Sequence, residues 1–135
     1  MEQMIYHFKS PEATTHISAK EFFIRFSNLN NLKDFLPKEI KEFQSNEDSC
    51  SFKVSKLPKI SLEIIEKTEY NLIKLQSKDS KIFFDLNCKI KQDIDKNKCK
   101  VTLGIDIKLN FMMKIMIEKP LNQLLQDLTR QIGKI

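Results

Sequence analysis

Residues 111–135 read FMMKIMIEKPLNQLLQDLTRQIGKI, and their spacing decides the fold. Met113, Ile117, Leu121, Leu124, Leu128 and Ile132 recur every three or four residues, which places them on one face of an α-helix. Met112, Met116 and Leu125 widen that stripe, whereas Lys114, Glu118, Lys119, Gln126, Asp127 and Arg130 fall on the other side. A helix with one apolar face has to bury it. Almost everything upstream reads as β-strand, so the partner of this face is a sheet. Pro120 admits two readings. It denies a donor to the Met116 carbonyl and so kinks or interrupts one long helix, or it is a first-turn residue with a separate turn before it.

Working outward, the preceding stretch CKVTLGIDIKL (99–109) alternates with period two, with Cys99, Val101, Leu103, Ile105, Ile107 and Leu109 on one face. A strand over 98–109 spans about 40 Å at 3.3 Å per residue. A helix over 111–134 spans about 36 Å at 1.5 Å per residue. The strand can therefore cradle the helix along its length. Before the turn at 95–98, residues 81–93 put Phe84, Leu86, Cys88 and Ile90 on the inner face. Further strands are predicted at 69–77 (Ile73, Leu75) and 59–67 (Ile60, Leu62, Ile64). A hairpin of 40–45 and 49–55 carries Cys50, Phe52 and Val54 on one side. Asn28 to Leu36 forms a short helix that Pro37 stops. Ser18, with Glu21 three residues on, caps another short helix that buries Phe22, Phe23 and Phe26. Residues 3–15 form the first strand, where Pro11 points to an edge or a bulge.

The chain has 135 residues with no Pro/Gly/Ser-rich linker, no repeat and only two glycines, so residues 1–135 form one domain. The start lacks the basic and apolar blocks of a signal peptide, and no apolar run approaches the roughly 20 residues of a membrane span. Cys50, Cys88 and Cys99 are odd in number without a C-x-x-C pair, which fits buried thiols in a reducing compartment. A cytoplasmic location is expected. Net charge is +5, but the excess is dispersed lysine interleaved with acids, and only Arg25 and Arg130 are arginines. Nucleic-acid readers lean on arginine forks and clustered basic patches, so a nucleic-acid partner is not expected.

The segments SAKEFFIRFSNLNNLKDFLP (18–37) and DIKLNFMMKIMIEKPLNQLL (106–125), in this order of elements, resemble the START-like (SRPBCC) superfamily, whose fold is called helix-grip. They look especially like small bacterial members without an assigned activity. The resemblance covers essentially the whole chain. It implies an α+β fold: a seven-stranded curved antiparallel sheet wrapped around a long C-terminal helix, with two short helices between the first and second strands. It also implies a cavity between sheet and helix that, in relatives, takes up lipids, sterols, polyketides, quinones or plant hormones.

Chemistry is scarce in the residues themselves. There is no phosphate-binding glycine loop and no G-x-S-x-G elbow, and neither His7 nor His16 stands in a metal-ligand spacing. The inward positions of the strands contain no titratable group apart from thiols. General acid–base catalysis needs one within reach of substrate. Only Tyr6, Tyr70, Thr102 or the two histidines offer a polar group, and these depend on register. The Met112, Met113 and Met116 cluster reads either as adaptable lining or, more simply, as core filling.

The expected function is therefore non-catalytic binding of a hydrophobic, lipid- or polyketide-like small molecule. The candidate lining is Leu36, Phe52, Leu62, Phe84, Leu86, Leu103, Met113, Met116 and Ile117, with no catalytic residue, metal or cofactor. A polyketide cyclase or dehydratase is the alternative reading, and a protein-interaction module with a filled core is another. A monomer or weak dimer is expected.

Overall fold

The computed structural model describes residues 2–54, 57–79 and 82–135. In chain order the elements are β1 (Met4–Lys9), β2 (Ala13–Thr15), α1 (Ala19–Phe26), a 3₁₀ helix (Leu29–Phe35) and β3 (Ile40–Ser45). There follow β4 (Ser49–Val54), β5 (Ile60–Thr68), β6 (Leu72–Ser77), β7 (Phe84–Gln92), β8 (Cys99–Leu109) and α2 (Phe111–Gly133). The strands form one antiparallel sheet in the order β1-β8-β7-β6-β5-β4-β3, with β2 also pairing β8. The concave face wraps around α2, which packs against β1, β2 and β8. This is the α+β helix-grip architecture anticipated above. The predicted strand ends at Ser55 and Lys81 lie outside the described residues.

The sheet has eight strands rather than seven, because the first predicted strand is two. Pro11 has no amide to donate to the ladder, so β1 stops at Lys9, and pairing with β8 resumes at Ala13. Ser10 holds the break together. Its amide donates to the Leu103 carbonyl (2.8 Å), and its hydroxyl oxygen accepts from the Leu103 amide (2.8 Å). The hydroxyl in turn donates to the Pro11 carbonyl (2.9 Å).

Two further irregularities curve the sheet. The register of β3 against β4 shifts between Lys41 and Gln44, where Glu42 has φ 53°. Consequently Ile40 and Phe43, three residues apart, both reach the inner side, where strict alternation would have put one outside. A second shift falls between Ile64 and Glu66 in β5.

The predicted Ser18 cap is present, and Asn28 and Asn110 cap the other two helices. Ser18 Oγ accepts from the Glu21 amide (3.1 Å), Asn28 Oδ1 from the Asn30 amide (3.0 Å), and Asn110 Oδ1 from the Met113 amide (2.8 Å). The α2 helix runs continuously through Pro120, so residues 111–119 are not a separate turn. Leu125 on α2 and Leu109, Val101 and Cys99 on β8 are at most 1% exposed.

Asp127 departs from the expected solvent face and is buried at 6% exposure. Its carboxylate accepts from Gln123 Nε2 (3.0 Å) and from Arg130 Nη2, so the charge is paired one turn away on its own helix.

Candidate functional site

The cavity enclosed by sheet, α1 and α2 follows from how these elements meet. Long inner-face side chains on a strongly curved sheet do not reach across to the helix everywhere, and a void of about 190 Å³ remains. Phe22 and Phe26 of α1, with Phe35 of the 3₁₀ helix, form one wall; Phe26 and Phe35 meet edge to face at 5.6 Å. Phe43 and Phe52, stacked at 6.5 Å, begin the opposite wall. Inner residues of β5 to β8 continue it, and Ile117, Leu121, Leu124, Leu128 and Ile132 of α2 form the roof.

The strand registers locate its two ends. The end of β8, the start of β7, the end of β6, the start of β5 and the end of β4 all lie on one side of the molecule. The same side holds the first turn of α2 and the start of β1, since Met4 pairs with Leu109. Leu36, Leu57, Pro58 and Ile82, from connecting segments at this end, line the cavity with partly exposed side chains and form its mouth, while Ile132 and Ile135 line it at the opposite end. The opposite end carries the turns at 46–48, 69–71 and 93–98 and the last turn of α2. The His16 amide donates to the Ile135 carbonyl there (3.2 Å). Gln92 ties α1 to the β7–β8 turn at that end: its Oε1 accepts from the Ala19 amide (2.9 Å), and its Nε2 donates to the Lys98 carbonyl (2.7 Å).

The wall is almost wholly carbon and sulfur. Cys50 and Cys88 are its only side chains that titrate among the described residues, and desolvation pushes their thiols up to about 11 and about 12. At neutral pH both are protonated, which removes the thiolate that nucleophilic chemistry requires. Cys99 lies off the cavity, fully buried. Its thiol is raised by burial, partly offset by contact with the Thr15 hydroxyl at 3.1 Å.

Of the predicted lining residues, the structure brings Leu36, Phe52, Leu62, Phe84, Leu86, Leu103 and Ile117 to the cavity wall. Met113 does not line it; it is half-buried and packs on the core beside it. Met116 is placed outside altogether, 73% exposed, as Met112 is at 60%. The first two turns of α2 stand over the rim, where the sheet has run out, so only the narrow Met113–Ile117 line finds apolar cover.

The polar candidates are elsewhere too. His7 is exposed on the outer face, its Nδ1 2.5 Å from Asp106 Oδ1. Tyr6 lies under α2 with the Lys114 ammonium 5.7 Å from its ring centre, Tyr70 is exposed at the closed end, and Thr102 is off the wall. The α1, 3₁₀ and β3 aromatics were absent from the predicted lining. Their apolar spacing was legible, but nothing in it distinguishes a residue facing a void from one facing a neighbour. Among the described residues no group of three His, Cys, Asp or Glu side chains is placed to hold a metal ion. No described helix is long and apolar enough to cross a membrane.

No family model matches the sequence, and no curated protein matches it either. Solved structures do. A START superfamily protein from Mycobacterium smegmatis superposes with a TM-score of 0.67 at 12% identity, over 93% of this chain and 96% of that one. An uncharacterised protein from Bacillus thuringiensis gives 0.67 at 11% identity, over 94% and 98%. Norcoclaurine synthase from Thalictrum flavum, in complex with dopamine and hydroxybenzaldehyde, gives 0.62 at 12% identity, over 96% and 86%. Such coverage at such low identity reflects a shared path of the backbone, and this chain carries the helix-grip fold of the START-like superfamily.

Proposed function

We propose that this protein encloses a small, uncharged apolar molecule between its sheet and α2, without transforming it. The observation that carries this reading is a cavity of about 190 Å³ whose wall offers aliphatic and aromatic carbon and two protonated thiols. Apolar cavities of roughly 150 Å³ stay dry and take up a single aromatic ring, so this volume suits one ring or a short acyl chain. A longer ligand would project through the mouth. Burying about 200 Å² of ligand surface would contribute roughly 5 kcal/mol at about 25 cal/mol per Å². Part of that is lost to immobilising the ligand. A carboxylate or ammonium would enter unpaired, at a cost of several kcal/mol, which excludes charged groups from the interior.

Norcoclaurine synthase shows that an enzyme can be built on this fold. A catalytic reading of this chain needs a proton donor or acceptor inside the cavity, and its tyrosines and histidines lie off the wall. The geometry therefore favours binding.

The test is a titration with toluene followed by methyl NMR. Expected are saturable shifts confined to lining residues such as Leu62, Leu86 and Leu103, weakened at least tenfold by a Leu86→Phe, Leu103→Phe double substitution that fills the void. Unchanged methyl shifts at toluene saturation would refute enclosure. Native mass spectrometry of freshly purified protein, against the same sample denatured, then identifies the natural occupant by its mass.

A further inference from the structure

The exposed apolar side chains gather at one place. Among the described residues, every large apolar side chain with more than half its surface exposed lies at the mouth end, Ile24 and Ile94 apart. Phe111, Met112, Ile115 and Met116 form the outward face of the first two turns of α2, spaced three and four apart. Farther along, the outward positions Lys119, Asn122, Gln123, Gln126 and Arg130 are polar, so the helix changes character at its own second turn.

Phe83, 70% exposed, lies at the same end of the sheet; its carbonyl accepts from the Lys108 amide at 3.0 Å. On the other side Lys108 pairs with Ile5, also exposed, so its side chain shares the outer face of the sheet with two apolar ones. Among the described residues it has no carboxylate partner. Lys114 adds a second cation on α2, bridged to Glu118 at 2.6 Å.

A soluble monomer rarely keeps so many large apolar groups together without a partner. Charge decides between occupants. A second copy of this chain would bring +5 against +5 and Lys108 against apolar groups it cannot pair with. An anionic bilayer accepts both components: hydrocarbon takes the aromatic and methionine side chains, and lipid phosphates take Lys108.

We propose that the mouth end is a reversible docking surface for an anionic lipid bilayer, with Phe83, Phe111, Met112, Ile115 and Met116 entering between headgroups and Lys108 facing their phosphates. Docking there would set the cavity mouth against the membrane. The inference goes beyond enclosure of a ligand and stands whether or not the cavity is filled.

Flotation of the full chain with vesicles of phosphatidylglycerol and phosphatidylcholine in equal parts tests it. Expected is co-flotation at low salt, at least tenfold weaker with phosphatidylcholine alone. The Phe111→Ser, Met116→Ser double variant should bind at least tenfold more weakly, with an unchanged circular dichroism spectrum and unchanged toluene titration. Lys108→Glu should weaken binding severalfold, while Ile94→Ser at the far end should bind as the parent does. Three results would overturn the proposal: no flotation with anionic vesicles, equal flotation of the double variant, or a dimer that dissolves on the same substitution while vesicles are ignored. Toluene binding without flotation would leave enclosure intact and sink docking, and the reverse would sink enclosure alone.

Discussion

The two ends of this molecule are built by opposite rules. Along the β2–β8 seam the buried polar groups of Ser10 and Thr15 each find a partner, and at the closed end the exposed Gln92 bridges two elements. Thr15 donates to the Ile17 carbonyl, Ser10 satisfies both backbone groups of Leu103, and Gln92 ties α1 to the last turn between strands. At the mouth, side chains that belong in a core stand in solvent. The same helix runs through both regions, so helix propensity does not cause the difference; what lies beneath it does. Leu125 is 1% exposed over full-length β8, and Met116 is 73% exposed past the end of the sheet. Stability is concentrated where the sheet is complete, and the rim is left free to meet something else.

The largest expected effect tests that concentration. Leu125→Ala should cost about 2–5 kcal/mol in urea unfolding, because its surroundings are filled and cannot collapse around the missing carbons. Leu86→Ala, on the cavity wall, should fall near about 2 kcal/mol, since a void already adjoins it. Equal losses would mean that the cavity is packed in solution.

Ser10→Ala comes next. It leaves the buried Leu103 amide without its acceptor, and about 1–3 kcal/mol should be lost. A loss within experimental error would show that water reaches the break and replaces the hydroxyl.

Between the two ends lies Cys88, whose thiol is raised from 9.0 to about 12, chiefly by desolvation and further by the nearby Cys99. The folded protein keeps this proton where the unfolded chain has released it. Its contribution is complete below about pH 9 and is lost as pH climbs toward 12. Melting scans from neutral pH upward should therefore fall less steeply for Cys88→Ala than for the parent. Identical slopes would place Cys88 in contact with water.

The smallest effect is expected at the rim. Met116→Ser and Phe83→Ser should change unfolding free energy by no more than about 0.5 kcal/mol, because neither side chain is buried. A loss above about 1 kcal/mol at either position would show that the rim packs against the body of the protein.

Much of this was readable in the order of residues. The step of three and four from Met113 to Ile132, the alternation from Cys99 to Leu109, and the Ser18 cap are local signals, and local signals survive without knowledge of neighbours. The inner faces of β4 to β8 followed for the same reason, since a strand offers only two sides.

What failed to show locally depends on where one element ends relative to another. Period 3.6 assigns Met112 and Met116 to the apolar stripe, but only the tertiary structure ends the sheet before it can cover them. Asp127 sits on the polar side by periodicity, yet it is buried, with Gln123 and Arg130 of its own helix within reach of its carboxylate. Pro11 announced an irregularity, and the Ser10–Leu103 bonds decided that it divides a strand in two. Sequence determined which faces of the chain are apolar. Only the curvature of the sheet, set by its bulges and by how far each strand reaches, decided which of those faces meet a neighbour, which surround a void and which are left to solvent.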